Sequence, residues 1–166
     1  MSLDEILADN PNNVYIKAKN LIPYPYSETT KTVDGITYTV QDSGGIKISG
    51  TATAVNHFYI ANTITLEKGK TYTLSTNSGL PVIMQDKSYT QSVTSINTPA
   101  TFTAQYTDYY IYISISSGQT ISDITVCPQL ELGTVATSFH KSGLMEVNKV
   151  IYSKDGITTV KWEKGD

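Results

Sequence analysis

The stretch Tyr109-Tyr110-Ile111-Tyr112-Ile113-Ser114-Ile115-Ser116 decides the fold. In an extended chain successive side chains point to opposite faces. Ile111, Ile113 and Ile115 therefore line one face, and Tyr110, Tyr112 and Ser114 line the other. This alternation marks a strand with one side on a core. Ser117-Gly118-Gln119-Thr120 turns the chain into a further strand that carries Cys127 and Leu130.

The same pattern repeats upstream. Ile36-Thr37-Tyr38-Thr39-Val40 alternates with period two, Gln41-Asp42-Ser43-Gly44-Gly45 is a hairpin turn, and Ile46-Lys47-Ile48-Ser49-Gly50 returns. Residues 58–66 and Thr71-Tyr72-Thr73-Leu74-Ser75 flank the turn Glu67-Lys68-Gly69-Lys70, with Tyr72 and Leu74 facing inward. Residues 80–85, 91–96 and 100–105 read as shorter strands, and Pro81 marks an edge or a start. Roughly eight to ten strands with short links predict an all-β antiparallel jelly-roll β-sandwich. Before it, residues 1–19 form an N-terminal extension with a short helical turn at residues 4–10. The jelly-roll module spans residues 20–140. After it, residues 141–166 form a C-terminal β-hairpin turned by Ser153-Lys154-Asp155-Gly156. An isolated hairpin is marginal in water, so this one needs a surface to pack on, with Trp162 as its anchor.

Composition agrees. Among 166 residues are 24 threonines and 12 tyrosines, both suited to a pleated, half-buried surface. Net charge is −3, and all 12 basic residues are lysines. Without the bidentate arginine fork, and without a lysine cluster, nucleic-acid binding is not expected. No apolar run is long enough to insert in a membrane. Met1-Ser2-Leu3-Asp4-Glu5 has no basic n-region, so no signal peptide is read there.

Catalytic chemistry finds little support. Asp34, Asp42, Asp86 and Asp155 each stand in a turn, where aspartate commonly bonds its own backbone. Cys127 reads as a small buried hydrophobe. His57 and His140 lack partners at metal-ligand spacing, so no cofactor is expected. A structural Ca2+ is the one ion the jelly-roll class would bring, yet no compact acidic loop supports it.

The tyrosines are the suggestive population. A sugar exposes apolar C–H faces that pack on flat rings, and a phenol can also bond its hydroxyls. Tyr24, Tyr26, Tyr89, Tyr109 and Tyr110 fall in or beside loops and strand ends, and His57 opens a strand beside them; these are the candidate ligand-binding residues. Tyr38, Tyr59 and Tyr72 sit mid-strand and read as core or cross-strand partners.

Two distant stretches then carry a resemblance. Asn20-Leu21-Ile22-Pro23-Tyr24 resembles an opening "NL-x-P" signature, and Gln129-Leu130-Glu131-Leu132-Gly133 with Ala136-Thr137 and Phe139 resembles a closing "QLE-x-G-x-x-AT-x-Y/F" motif. Between them, Ile48-Ser49-Gly50-Thr51-Ala52-Thr53 is similar to an "NGTAT" segment, with Ser49 at the usual Asn. Leu66-Glu67-Lys68-Gly69-Lys70-Thr71-Tyr72-Thr73-Leu74-Ser75 is similar to an "L-x-x-G-x-YTLS" strand pair. In the closing strand, Leu130 and Leu132 are expected to point one way and Glu131 the other. Together these resemble the carbohydrate-binding-like β-sandwich modules of tail and baseplate proteins from phages and prophages of Gram-positive bacteria. The resemblance implies a non-enzymatic virion component, made in the bacterial cytoplasm, that binds host cell-surface polysaccharide and contacts other tail or baseplate subunits or copies of itself. The alternative it leaves is a structural or oligomerisation module with no ligand.

Overall fold

The computed structural model describes residues 19–142 in full. Beyond them it describes the backbone of three strands, β1 (Asn13–Lys17), β13 (Leu144–Lys154) and β14 (Ile157–Lys164). The expected helical turn at residues 4–10 and the side chain of Trp162 lie outside the described residues. The chain divides into two compact units, Lys19–Ser142 and a second unit that holds β1, β13 and β14. In that second unit β13 pairs antiparallel with both β1 and β14.

The Lys19–Ser142 unit is all-β among the described residues, with three antiparallel sheets. The first has the order β11-β4-β3-β2, from β2 (Lys31–Val33), β3 (Ile36–Val40), β4 (Ile46–Thr51) and β11 (Thr120–Val126). The second is β5-β10-β7-β8, from β5 (Asn56–Thr65), β7 (Val82–Asp86), β8 (Ser92–Ser95) and β10 (Asp108–Ile115). The third is β12-β6-β9, from β6 (Thr71–Ser75), β9 (Ala100–Thr103) and β12 (Gln129–Leu132). The isoleucine face of β10 is fully buried, and Ile36, Tyr38, Ile46, Ile48, Phe58, Leu74 and Val82 join it in one apolar core. Tyr38 stacks on Phe58, centroids 4.9 Å apart, and its hydroxyl donates to the Asn56 side chain.

The threonines have a specific use. Thr32 and Thr37, Thr51 and Thr120, Thr71 and Thr103, and Thr73 and Thr101 stand directly opposite one another, and each pair joins its hydroxyls. Such cross-strand pairs stabilise a sheet by a few tenths of a kcal/mol to about 1 kcal/mol each.

One expectation about the closing region is corrected. The strand read through Cys127 to Leu130 is two strands. Pro128 has no N–H for a ladder, so β11 ends at Val126 and pairs with β4, while β12 starts at Gln129 and pairs with β6. Within β12 the register with β6 is unbroken, so Leu130 and Leu132 share one face and Glu131 takes the other; Leu130 is buried, Leu132 is 62% exposed and Glu131 is only 3% exposed. Glu131 is tolerated there because its carboxylate accepts from Thr137 N (2.8 Å), Thr137 Oγ1 (2.6 Å) and Gln129 Nε2 (2.8 Å). Burial pushes this carboxyl up, but those donors, helped by the Lys19 charge, hold it below the usual glutamate range.

The opening and closing motifs meet. Buried Asn20 donates from Nδ2 to the carbonyls of Pro128 (3.1 Å) and His140 (2.9 Å), and its Oδ1 accepts from Ile22 N and Leu130 N at 3.1 Å. Gln129 Oε1 accepts from His140 N at 2.8 Å, and its Nε2 also donates to Thr137 O at 3.0 Å. These side chains clasp residues 20–22 to residues 128–140.

Candidate functional site

The outward face of the β5-β10-β7-β8 sheet gathers the aromatic side chains. Along β10 the isoleucines point inward, so Tyr110 and Tyr112 point out. Along β5, Phe58 and Ile60 point inward, so His57 and Tyr59 point out. The register sets Tyr112 beside Tyr59 and Ser114 beside His57 on one side, and Tyr110 beside Gln85 of β7 on the other. The rings form one continuous group. Tyr110 and Tyr112 stack at 5.6 Å and 27°, Tyr59 lies 5.7 Å from Tyr112 and 6.1 Å from Tyr110, and His57 meets Tyr112 edge-on at 4.9 Å.

Neighbouring backbone holds this face still. Ser27 N and Glu28 N donate to the carbonyls of Ile60 (2.9 Å) and Tyr59 (3.2 Å), and Tyr59 N donates to Glu28 Oε2 at 2.6 Å. The outer edge of β5 is thereby covered. β5 also bulges against β10, where Ile60 and Ala61 are both buried in succession and the register slips on either side of Ile111. The bulge sets Asn62 at the rim of the aromatic face.

A wall rises from the loop between β7 and β8. Asp86 is closed off from solvent by this loop, and its carboxylate accepts from Ser88 N (2.6 Å), Thr90 N (2.7 Å) and Gln91 N (2.5 Å). Burial alone would raise the Asp86 carboxyl; the amide donors outweigh it and hold it below the usual range. The turn this creates carries Tyr89 at φ 58°, a left-handed position, and leaves the residue 73% exposed. Its ring stands 5.9 Å from Tyr110 at 64°. Tyr59, Asn62, Lys87, Tyr89 and Tyr110 line a cleft of about 300 Å³. Lys87 reaches across it, its ammonium 5.5 Å from the Tyr110 ring centroid and donating to the Asn62 carbonyl.

The polar equipment suits neutral hydrogen bonding. Gln85 Oε1 accepts from Tyr110 Oη at 2.9 Å and Tyr112 Oη at 3.4 Å. Burial, the adjoining Tyr89 hydroxyl, and then Tyr112 and Tyr59 push the Tyr110 phenol above the ordinary tyrosine range. Burial, Tyr59 and Tyr89 do the same to Tyr112. Both therefore keep their protons at neutral pH. Among the described residues the buried His57 Nδ1 has no hydrogen-bond partner.

The structure brings together three of the six sequence candidates, His57, Tyr89 and Tyr110, and separates the other three. Tyr109 is wholly buried on the isoleucine face, its hydroxyl donating to the Gln91 side chain and accepting from Gln105 N and Tyr106 N at 3.2 Å. It is a core residue and presents no ring to a ligand. Tyr26 is 7% exposed, its hydroxyl spent on the Gly44 carbonyl, and its ring contacts only Tyr24 among the described aromatics. Tyr24 is half-buried, with Lys141 Nζ 4.6 Å above its ring and its hydroxyl bonded to the Gln41 carbonyl at 3.3 Å. Tyr59 and Tyr112 were the members the candidate set lacked. Period two was the available signal, because Phe58 and Ile60 facing inward already put Tyr59 outward.

Among the described residues no group of three or more His, Cys, Asp or Glu could hold a metal ion. Cys127 is a free, half-buried thiol whose pKa burial raises. No protein-family model matches the chain, and no curated protein or solved structure matches it.

Proposed function

We propose that the chain is a non-enzymatic carbohydrate-binding module, and that the cleft of Tyr59, Asn62, Lys87, Tyr89 and Tyr110 is its sugar site. The observation that carries this reading is a preorganised group of four aromatic rings on one sheet face, with a fifth, exposed Tyr89, standing as a wall on the loop held by Asp86. A pyranose would lay its C–H face on Tyr59 and Tyr89, with the largely covered Tyr110 ring as the floor between them. Its hydroxyls would meet the Tyr59 phenol, Asn62 and the free amide of Gln85. Single sites of this kind bind weakly, and many copies on one particle would supply effective strength. We read the three sheets as a jelly-roll-type β-sandwich and the pair β13–β14 as its C-terminal hairpin appendage. The resemblance to phage tail and baseplate modules gives the proposed setting, a virion surface facing host polysaccharide. It rests on strand and turn motifs, and carries less than the aromatic face does.

Screening the purified chain in multivalent form against cell-wall polysaccharides and defined oligosaccharides tests this. Saturable binding competed by free sugar supports it, and binding to no glycan contradicts it.

A second reading, a structural or oligomerisation module, has its own observation. Leu132 and Val135 are 62% and 69% exposed beside an apolar groove of about 480 Å³ lined with Leu21, Gly133 and Thr134. Exposed apolar patches mark protein contacts. A stable oligomer by light scattering, dissociated by Leu132→Ser, would favour it.

A further inference from the structure

The aromatic face has one charged group at its cleft, and its charge is unanswered. Of the five residues that line the cavity, only Lys87 carries charge. Its nearest carboxylate in sequence, Asp86, is turned away, with both oxygens taken up by amides of Ser88, Thr90 and Gln91. Asp108, whose carbonyl receives Lys87 N at 3.1 Å, has one carboxylate oxygen bonded to Thr65 Oγ1 at 3.1 Å. The ion pairs among the described residues are Lys31–Glu28 and Lys47–Asp123, so Lys87 belongs to neither. The Lys87 ammonium has a carbonyl, Asn62 O, and a ring face, Tyr110. Neither neutralises it, and an ammonium has three donors to place. The side chain is exposed, and these contacts place its head at the cavity.

We infer that the cleft is specific for a glycan bearing an anionic substituent, a carboxylate or a phosphate on or beside the stacked sugar, with Lys87 as its counter-ion. This rests on the sugar-binding reading and names the class of sugar. The protein as a whole carries −3, so its long-range field would repel such a ligand. Selectivity therefore comes from the local pairing of Lys87 inside an aromatic cleft, where water is partly displaced and a charge-assisted bond is stronger than at open surface. The rings accept any pyranose face; the ammonium chooses among them.

Calorimetric titration of the whole chain with three oligosaccharides of equal length tests the inference. The probes are a neutral gluco-oligosaccharide, an oligogalacturonate and a hexose oligomer joined by phosphodiesters, each measured at low and at raised salt. Wild type should bind at least one anionic probe about tenfold more tightly than the neutral one, a difference of about 1.4 kcal/mol. Raised salt should shrink the gap. Which anionic probe binds more tightly tells carboxylate from phosphate, and either supports the inference. Lys87→Gln should abolish the preference, bringing the anionic and neutral probes to the same affinity, and Lys87→Arg should keep most of it. Equal binding of all three probes in wild type, unchanged in Lys87→Gln, would overturn the inference and leave the sugar-binding reading standing. Binding of none of the three, or of any other glycan in the multivalent screen, would overturn both.

Discussion

At the scale of single residues, period two explains more than loop position does. Tyr109 and Tyr110 are neighbours in sequence and opposite in fate. Tyr109 shares parity with Ile111, Ile113 and Ile115 and joins them in the core, while Tyr110, only 9% exposed beside Tyr89 and Lys87, lies on the opposite face and lines the cleft. That difference was legible in the strand itself. Tyr26 was not, because no alternation governs the proline-flanked segment and a distant carbonyl, Gly44 O, draws its hydroxyl inside. Asn20 shows the same limit from the other side. As a motif residue it was visible, but its four partners lie at Ile22, Pro128, Leu130 and His140 and only folding reveals them. Asn20→Ala would strand two buried amides and two carbonyls. It should destabilise the chain by about 2–4 kcal/mol, read as a lower urea midpoint at unchanged slope. A loss below about 0.5 kcal/mol would show that the clasp is replaceable.

At the scale of elements, strands were readable and interruptions were not. The bounds of β3 and β6 coincide with the alternating runs read from sequence, since each has one apolar face and a turn at each end. The bulge in β5 was invisible, because Ile60 and Ala61 in succession look like an ordinary apolar pair. The break at Pro128 was foreshadowed by the residue type, yet the strands on either side join different sheets, which is a tertiary fact. Gly50 marks a third interruption. Its φ is 119°, the register of β11 against β4 slips between Ile121 and Ile124, and a Cβ on Gly50 would sit 2.1 Å from the Gly35 carbonyl oxygen. Gly50→Ala should therefore cost at least about 2 kcal/mol, through both backbone strain and that clash, in the same urea titration. Gly118→Ala makes a useful comparison. Its φ is also positive, at 81°, but a Cβ there meets no atom within 4 Å, so its loss should be smaller.

At the scale of the whole molecule, two buried carboxylates and several buried phenols set the pH range of stability. Glu131 and Asp86 have folded pKa values held below the usual range by hydrogen bonds that outweigh burial. Their contribution is complete above the unfolded value, about 4, and is lost as pH falls through the lowered folded value. Tyr26 and Tyr38 are shifted the other way, chiefly by burial. Their neutral forms favour the fold below about pH 10, and that contribution is lost as pH rises beyond it. Urea stability should be nearly flat through neutrality, decline in acid from about pH 4 downward, and decline again in alkali above about pH 10. A curve without an acid limb would contradict the roles given to Glu131 and Asp86. The aromatic face is also a property of the whole molecule, since it needs β5, β7, β10 and the Asp86 loop in register. No single stretch of sequence announces it.

The most direct measurement is therefore a titration of the chain with whichever glycan the multivalent screen retains, repeated for Tyr89→Ala, Tyr59→Ala and Tyr24→Ala. Tyr89 is exposed, so its variant should fold; Tyr24 packs on the core away from the ring cluster, so its variant is the control, with folding checked by the urea midpoint. Saturable binding weakened about tenfold or more by Tyr89→Ala and by Tyr59→Ala, and unchanged by Tyr24→Ala, is the expected result. Affinity indifferent to Tyr59 and Tyr89 would contradict the assignment of the sugar site to this face.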